Sequence, residues 1–390
     1  MLFYNANIFQ AETGFITGSF ETESGCFTKV CFGQENAKGT PESGTDLKGA
    51  AVIPGLIDIH THGNSGVDFS DGNKEGLSAM AGYLLKNGIT GFLPTSMTLP
   101  EKDLKKAFEA ARDLVSEKYG DCAEILGIHM EGPFLSKEHK GAQNPDYLIP
   151  PDADMFFRLQ DASGNLIKIV DVAPETEGAF ELIREVSKKG KCRISVAHTD
   201  ADYDTAAEAF DMGAAHVTHL FNGMRPMHHR NPGVIGAACD RDDVTVELIC
   251  DGIHVHPSVV RTAFKLFSHR ICLISDSLRC CGLPDGEYEL AGQTVILKGR
   301  EARLKDGTLA GSVANLFDCM KNAIDFGVPV ALAIEAATLT PAKALGIEDH
   351  AGAIKNGNNA DFIICDDKMN IKEVYKNGIR RFTDEDTDRV

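Results

Sequence analysis

The stretch VIPGLIDI at residues 52–59 runs straight into HTH at 60–62 and reads as a β-strand that ends on two histidines. Seven further runs of the same apolar, β-branched texture follow it. They are Ile89–Thr95, Glu124–Glu131, Ile167–Ala173, Arg193–His198, Ala214–Leu220, Val244–Asp251 and Ile271–Asp276. Between them lie segments whose apolar residues recur at three- and four-residue spacing, the helical period. Asp103–Lys118, Ala179–Lys189, Ala201–Met212 and Pro257–Phe267 are the clearest. Eight strands alternating with helices predict an α/β chain folded as a (β/α)8 barrel.

The two ends differ from this middle. Residues 1 to 50 are rich in Gly, Thr, Phe and turn signals, as short antiparallel strands are. The last forty residues have the same texture, with Gly352, Asn356-Gly357 and Asn377-Gly378 as turn candidates.

Bulk properties narrow the function. The chain has 390 residues, 43% apolar and 25% charged, the balance of a globular protein. A net charge of −18 argues against nucleic acid or an anionic membrane as partner, while leaving room for a small anionic substrate held by a few local cations. MLFYNANIFQ lacks the basic flank and apolar run of a leader, and no apolar stretch is long enough to span a bilayer, so a cytoplasmic protein is expected. The eleven cysteines are scattered, without a CxxC pair, and read as reduced core thiols.

Chemistry-bearing residues fall at the C-terminal ends of the predicted strands, the face from which such barrels work. His60 and His62 close the first strand, Glu131 the third, His198 the fifth, His219 the sixth and Asp276 the eighth; His254 follows the seventh. His60 and His62 are two apart and so point to one side of a strand. A lone strand-end histidine is commonly structural, and His129 and His216 are read that way, His129 in support of the site. His139, His269 and His350 are read as solvated. Five or six such residues on successive strands form a nitrogen and oxygen ligand set suited to zinc or iron. Asp276 could cap a helix, but ISDS leads into a predicted loop containing CCGLPDGEYEL, which favours a proton-transfer role. Metal-assisted hydrolysis is the chemistry this set suits.

PGLIDIHTHG at 54–63 resembles the opening signature of the amidohydrolase superfamily. More specific strings follow in order: HMEGPF (129–134), KGAQNPDYL (140–148), AHTDA (197–201), HLFNGM (219–224), HHRNPGVIGAA (228–238), DGIHVHP (251–257), LPDGEYEL (283–290) and LAGS (309–312). Together they resemble the N-acetylglucosamine-6-phosphate deacetylase family over nearly the whole chain.

That resemblance implies a small β-sandwich made of residues 1–53 and 346–390 beside a catalytic barrel of 54–345. It implies a divalent metal, one or two ions per chain, zinc or iron. Glu131, His198 and His219 would be the principal ligands; His60 and His62 would complete a second site, with Glu131 as bridge. Asp276 would be the general acid and base, and the substrate a sugar phosphate. His254 and Arg230 would hold the phosphate, Arg230 from the neighbouring subunit of a homodimer. Ala142, Gln143, Asn222, Gly223, Leu309, Ala310 and Gly311 would line the sugar pocket.

Gln143 stands where many members have histidine, at a position linked to polarising the scissile carbonyl; its amide still donates but cannot become cationic. Gly223 replaces a usual alanine, which is read as a slightly larger or looser pocket wall. Rival readings are a related amino-sugar phosphate such as the galacto epimer, another amidohydrolase, and a non-catalytic scaffold; the last should show gaps in the ligand set.

Overall fold

The computed structural model describes residues 1–33, 44–117, 121–189 and 192–385. Eight parallel strands form the central sheet: β1 (Leu56–Thr61), β2 (Ile89–Ser96), β3 (Ile128–Met130), β4 (Ile167–Val172), β5 (Arg193–Val196), β6 (Ala214–Val217), β7 (Thr245–Ile249) and β8 (Ile271–Ile274). They pair in chain order. At the seam between β8 and β1, Asp276 N–H donates to the His60 carbonyl (2.9 Å) and Ser275 Oγ to Asp58 Oδ2 (2.6 Å). Burial pushes the Asp58 carboxyl up to about 7, against the hydrogen bonds from Ser275 and His60 that favour its ionised form. The sheet is thus a barrel, as the strand–helix alternation predicts.

Helices cover its outside, the longer ones through one apolar stripe. Ala179–Lys189 buries Ala179, Leu182, Ile183 and Val186, and Glu101–Ser116 buries Leu104, Ala107, Phe108, Ala111 and Leu114. The residue predicted to end the latter helix, Lys118, lies outside the described residues. Among those residues no helix is long and apolar enough to cross a membrane.

Strand ends depart from the sequence reading in ways that matter for the site. The run 52–59 is two strands. Ala51–Pro54 joins the terminal sheet and Leu56–Thr61 the barrel, because Gly55 N–H donates to Asp361 and Leu56 N–H to Gly88. The run 124–131 likewise breaks into Glu124–Ile125 and Ile128–Met130. Strands β5, β6 and β8 stop two residues before His198, His219 and Asp276, whose φ values of 41°, 29° and 49° no strand accommodates. The chain kinks there, and the kinks turn those side chains inward over the barrel mouth.

Residues 280–290 are not wholly loop. Gly286–Leu290, Gln293–Lys298 and Glu301–Leu304 form a three-stranded antiparallel sheet, with Leu290, Val295, Leu297, Ala302 and Leu304 buried on its inner face. The period-two alternation in that stretch was the available signal.

Both chain ends meet in one sheet, in the order Ile379–Thr383, Ile371–Lys376, Phe362–Cys365, Ala51–Pro54, Leu2–Gln10, Gly14–Glu23, Cys26–Phe32. Phe20 and Phe362 lie three strands apart, about 14 Å in a flat sheet at the usual strand spacing. Their ring centroids are 5.1 Å apart. The sheet therefore coils back on itself like a sandwich, with Phe3, Phe20, Phe27, Phe362 and Tyr375 at its centre. Lys376 ties it to the barrel, its Nζ donating to the Thr90 carbonyl and Glu124 Oε2 (3.1 Å each).

Candidate active site

Two groups of side chains converge at the C-terminal mouth of the barrel: Glu131, His198 and His219, and beside them His60, His62 and Asp276. All six are buried. In the first, Nε2 of His198 and of His219 lie 3.0 Å apart and each is 3.1 Å from Glu131 Oε1. In the second, His60 Nε2 and His62 Nε2 are 3.3 Å apart, and Asp276 Oδ1 lies 3.5 and 3.2 Å from them. Glu131 joins the groups, its other oxygen Oε2 lying 3.3 Å from His62 Nε2.

The outward nitrogens explain what the inward ones offer. His198 Nδ1 donates to the His139 carbonyl (2.8 Å), His219 Nδ1 to the Asn222 carbonyl (3.1 Å) and His62 Nδ1 to the Thr95 carbonyl (3.1 Å). A carbonyl only accepts, so each Nδ1 carries hydrogen, and the inward Nε2 is the atom each ring would offer to an ion that displaces its proton. Three lone pairs of two imidazoles and a carboxylate about 3.0–3.1 Å apart match a tetrahedral ion, whose ~2.05 Å bonds put ligand atoms about 3.3 Å apart. The donor set fits zinc or iron by its chemistry.

The electrostatics ask for positive charge at the same place. Burial disfavours the imidazolium of His62 and His219, yet the neighbouring carboxylates prevail. Glu131 lifts His219 to about 9, and Asp276 with Glu131 lifts His62 well above its usual value. Burial pushes Asp276 up, but the hydrogen bond from His62 and the charges of His60 and His62 bring it net below the ordinary carboxylate range. Asp276 is therefore a carboxylate able to accept a proton.

A cavity of about 150 Å³ opens over this centre. Its walls include Ala142, Gln143, Asn222, Gly223, His254 and the segment 309–311. Gln143 donates from Nε2 to Glu131 Oε2 (2.6 Å) and accepts the Thr98 N–H on Oε1 (2.8 Å), so one amide hydrogen already holds Glu131. His254 is set by Asp251 at Nδ1 (2.6 Å) and by the Ala310 carbonyl at Nε2 (2.7 Å). Burial works against its charge, but Asp251 outweighs it and raises the imidazole net.

Gly223 is not spare room. At φ +61°, an added Cβ would sit 2.8 Å from His198 Nδ1. Gly311 is similar: a Cβ there would lie 2.6 Å from the Asp276 carbonyl oxygen. Arg230 is not among the residues lining the cavity; it is exposed on its loop, against the His229 ring (2.7 Å).

Several residues escaped the sequence reading. Met97, Leu278 and Leu290 give the cavity an apolar wall, Leu290 from the inserted sheet. Beneath the centre, fully buried Glu247 and Asp171 contact His60, His216 and His129. His129 Nε2 donates to Asp171 (2.9 Å) and its Nδ1 to the Ile59 carbonyl (3.0 Å), and its ring packs edge-on against that of His60, with centroids 4.6 Å apart. His139 is half-buried, pairing with Asp200 (2.9 Å) and holding His198 through its carbonyl, and so is not simply solvated. His269 is exposed but pairs with Glu335 (2.8 Å), and His350 is exposed.

Comparison with known proteins agrees with this geometry. The model of the amidohydrolase family matches residues 51–380. An N-acetylglucosamine-6-phosphate deacetylase of Bacillus subtilis (strain 168) is 39% identical over 347 residues, 87% of each chain. An N-acetylgalactosamine-6-phosphate deacetylase of Escherichia coli O157:H7 is 33% identical, over 87% of this chain and 89% of that one. Among solved structures, a mutant N-acetyl-D-glucosamine-6-phosphate deacetylase from Mycobacterium smegmatis in complex with N-acetyl-D-glucosamine-6-phosphate superposes with a TM-score of 0.91 at 31% identity, covering 98% of this chain and 99% of that one. With its barrel, its converging histidines and carboxylates and these matches, the chain belongs to the amidohydrolase family.

Proposed function

We propose that the chain hydrolyses the acetamide of N-acetyl-D-glucosamine 6-phosphate, giving D-glucosamine 6-phosphate and acetate in amino-sugar catabolism. The observation that carries this reading is the cavity in which Asp276, a carboxylate held ionised, faces ligand groups that share Glu131. The reading is supported by relatives that carry this activity by name and align over most of the chain.

Glu131, His198 and His219 would hold one divalent ion, and His60 and His62 with Glu131 a second; zinc fits this set and iron does too. When bound, such an ion supplies an acidified water and an electrophile for the acetamide carbonyl. Asp276 takes the proton from the attacking water and delivers it to the departing nitrogen, without which the amine leaves poorly. Gln143 keeps one amide hydrogen beyond the one given to Glu131 and offers it to the carbonyl oxygen. Asn222, Gly223 and the Leu309–Gly311 backbone shape the sugar site.

Arg230 reaches the phosphate in the neighbouring subunit of a homodimer, which accounts for its exposure within one chain; its planar fork suits a phosphate. His254, whose imidazole Asp251 raises net against burial, would face the same phosphate, although both of its nitrogens already face acceptors. Residues 54–345 would be the catalytic unit and 1–53 with 346–390 the small β unit, in a cytoplasmic enzyme.

A second reading, the galacto epimer, is favoured by the relative of that specificity at 33% identity. Acetate release from both phosphorylated epimers and from unphosphorylated N-acetylglucosamine tests the assignment. Turnover with the gluco epimer that depends on the phosphate is expected. A preference for the galacto epimer would move the substrate, and no acetate from any of the three would reject the reaction.

A further inference from the structure

Directly below both ligand groups, Glu247 of β7 is a fully buried carboxylate that none of the steps above uses. Its Oε2 accepts from His60 Nδ1 (2.9 Å) and from the backbone N–H of His219 (3.1 Å). Its Oε1 accepts from His216 Nε2 (3.1 Å), and its own carbonyl accepts the Leu220 N–H (2.9 Å). His60 belongs to one ligand group and His219 to the other. A single oxygen therefore touches both.

Each contact has a defined consequence. With its Nδ1 hydrogen given to Glu247, His60 turns its Nε2 toward His62 and Asp276, and the carboxylate fixes the orientation of that ring. His219 sits at φ 29°, a conformation rare for a side-chain-bearing residue. Two consecutive N–H groups, of His219 and Leu220, end on Glu247 and hold the kink that aims the His219 ring. Glu247 could instead be read as an ion ligand with His60 and His129, since the three offer atoms close together. His129 rules this out. Its nitrogens are both committed, Nδ1 to the Ile59 carbonyl and Nε2 to Asp171.

We infer that Glu247 is a positioning residue that fixes His60 and His219 together and so sets the affinity of both metal sites. The inference rests on the metal-dependent reading above. It makes no use of Glu247 as a ligand or as a proton carrier in turnover.

The test is metal binding by the whole chain, stripped of ions and titrated with zinc against a chromophoric chelator. Glu247→Ala removes every side-chain acceptor and should weaken both sites by about 10- to 100-fold. Glu247→Gln keeps an amide oxygen for His60 and should recover part of that loss. Near-ultraviolet circular dichroism and thermal melting of the metal-free variants report folding separately. Where the alanine variant does not fold, the wild-type chain loaded with cobalt(II) serves instead. It should show a shifted imidazole N–H resonance that persists in heavy water and disappears in His60→Gln, because Glu247 shields that proton. Wild-type zinc affinity in either folded variant would overturn the inference, as would a cobalt spectrum without that protected resonance. A wild-type chain that binds no divalent ion would fail earlier, overturning the functional reading and this inference with it.

Discussion

The terminal sheet buries Phe3, Phe20, Phe27 and Phe362 against one another, whereas the centre of the barrel buries His60, His129, Asp171 and Glu247. Both sets are almost wholly withdrawn from solvent. In the sheet each ring adds roughly 1.5–3 kcal/mol of transfer free energy with no demand on its neighbours beyond shape. In the barrel each polar group is tolerable only because another answers it, His129 by Asp171 and His60 by Glu247. The aromatic core holds the chain ends together. The polar core costs stability to build and places a reactive centre, so substitutions in the two should separate folding from chemistry.

The largest effect expected is on chemistry alone. Asp276→Asn should retain bound metal and melting temperature while turnover falls by about 10²- to 10⁴-fold, the usual range for losing a general acid–base. Retained turnover would remove Asp276 from the mechanism.

Phe362→Ala is the converse. It leaves a cavity among four aromatic neighbours and should cost about 3–5 kcal/mol in chemical denaturation, with metal affinity of the folded protein unchanged. A fall in metal affinity at constant fold would show that the two cores are coupled.

Arg230→Ala lies in neither core. It should raise KM for the phosphorylated sugar by about 10- to 100-fold, the loss of one charge-assisted contact, and leave the unphosphorylated sugar unaffected. If the arginine serves a neighbour, then refolding Arg230→Ala together with Asp276→Asn should restore about a quarter of the wild-type kcat/KM, measured well below saturation, through hybrid dimers with one intact site. No restoration would place Arg230 in its own subunit or outside the site. Smallest is Gly223→Ala, which forces a left-handed residue against His198 and should cost about 1–2 kcal/mol, read by denaturation. An alanine that fits without loss would restore the looser-wall reading.

What the sequence disclosed follows the same division. His60 and His62 were legible because a two-residue spacing after an apolar run has one geometric meaning, and the eight runs predicted the barrel. Glu247 was not legible: it sits inside VTVELIC, where a lone carboxylate looks like an accident of an apolar strand. Only the partners brought by β1 and β6 give it a purpose. The kinks at His198, His219 and Asp276 were hidden for a related reason, since tertiary contacts rather than local propensity hold them. The division of 52–59 between two sheets could not be read from an unbroken apolar stretch, because the partners of Gly55 and Leu56 lie at Asp361 and Gly88. The inserted sheet at 286–304 was within reach of its alternation and was masked by the Pro and Gly that precede it.

Metal dependence is the claim on which the rest stands. It is tested most directly by stripping the chain with a chelator, adding zinc back stepwise, and following acetate release from N-acetyl-D-glucosamine 6-phosphate alongside bound zinc. Turnover should be absent from the stripped protein and should rise as zinc fills one or two sites per chain. Full turnover without metal, or full occupancy without acetate, would contradict it.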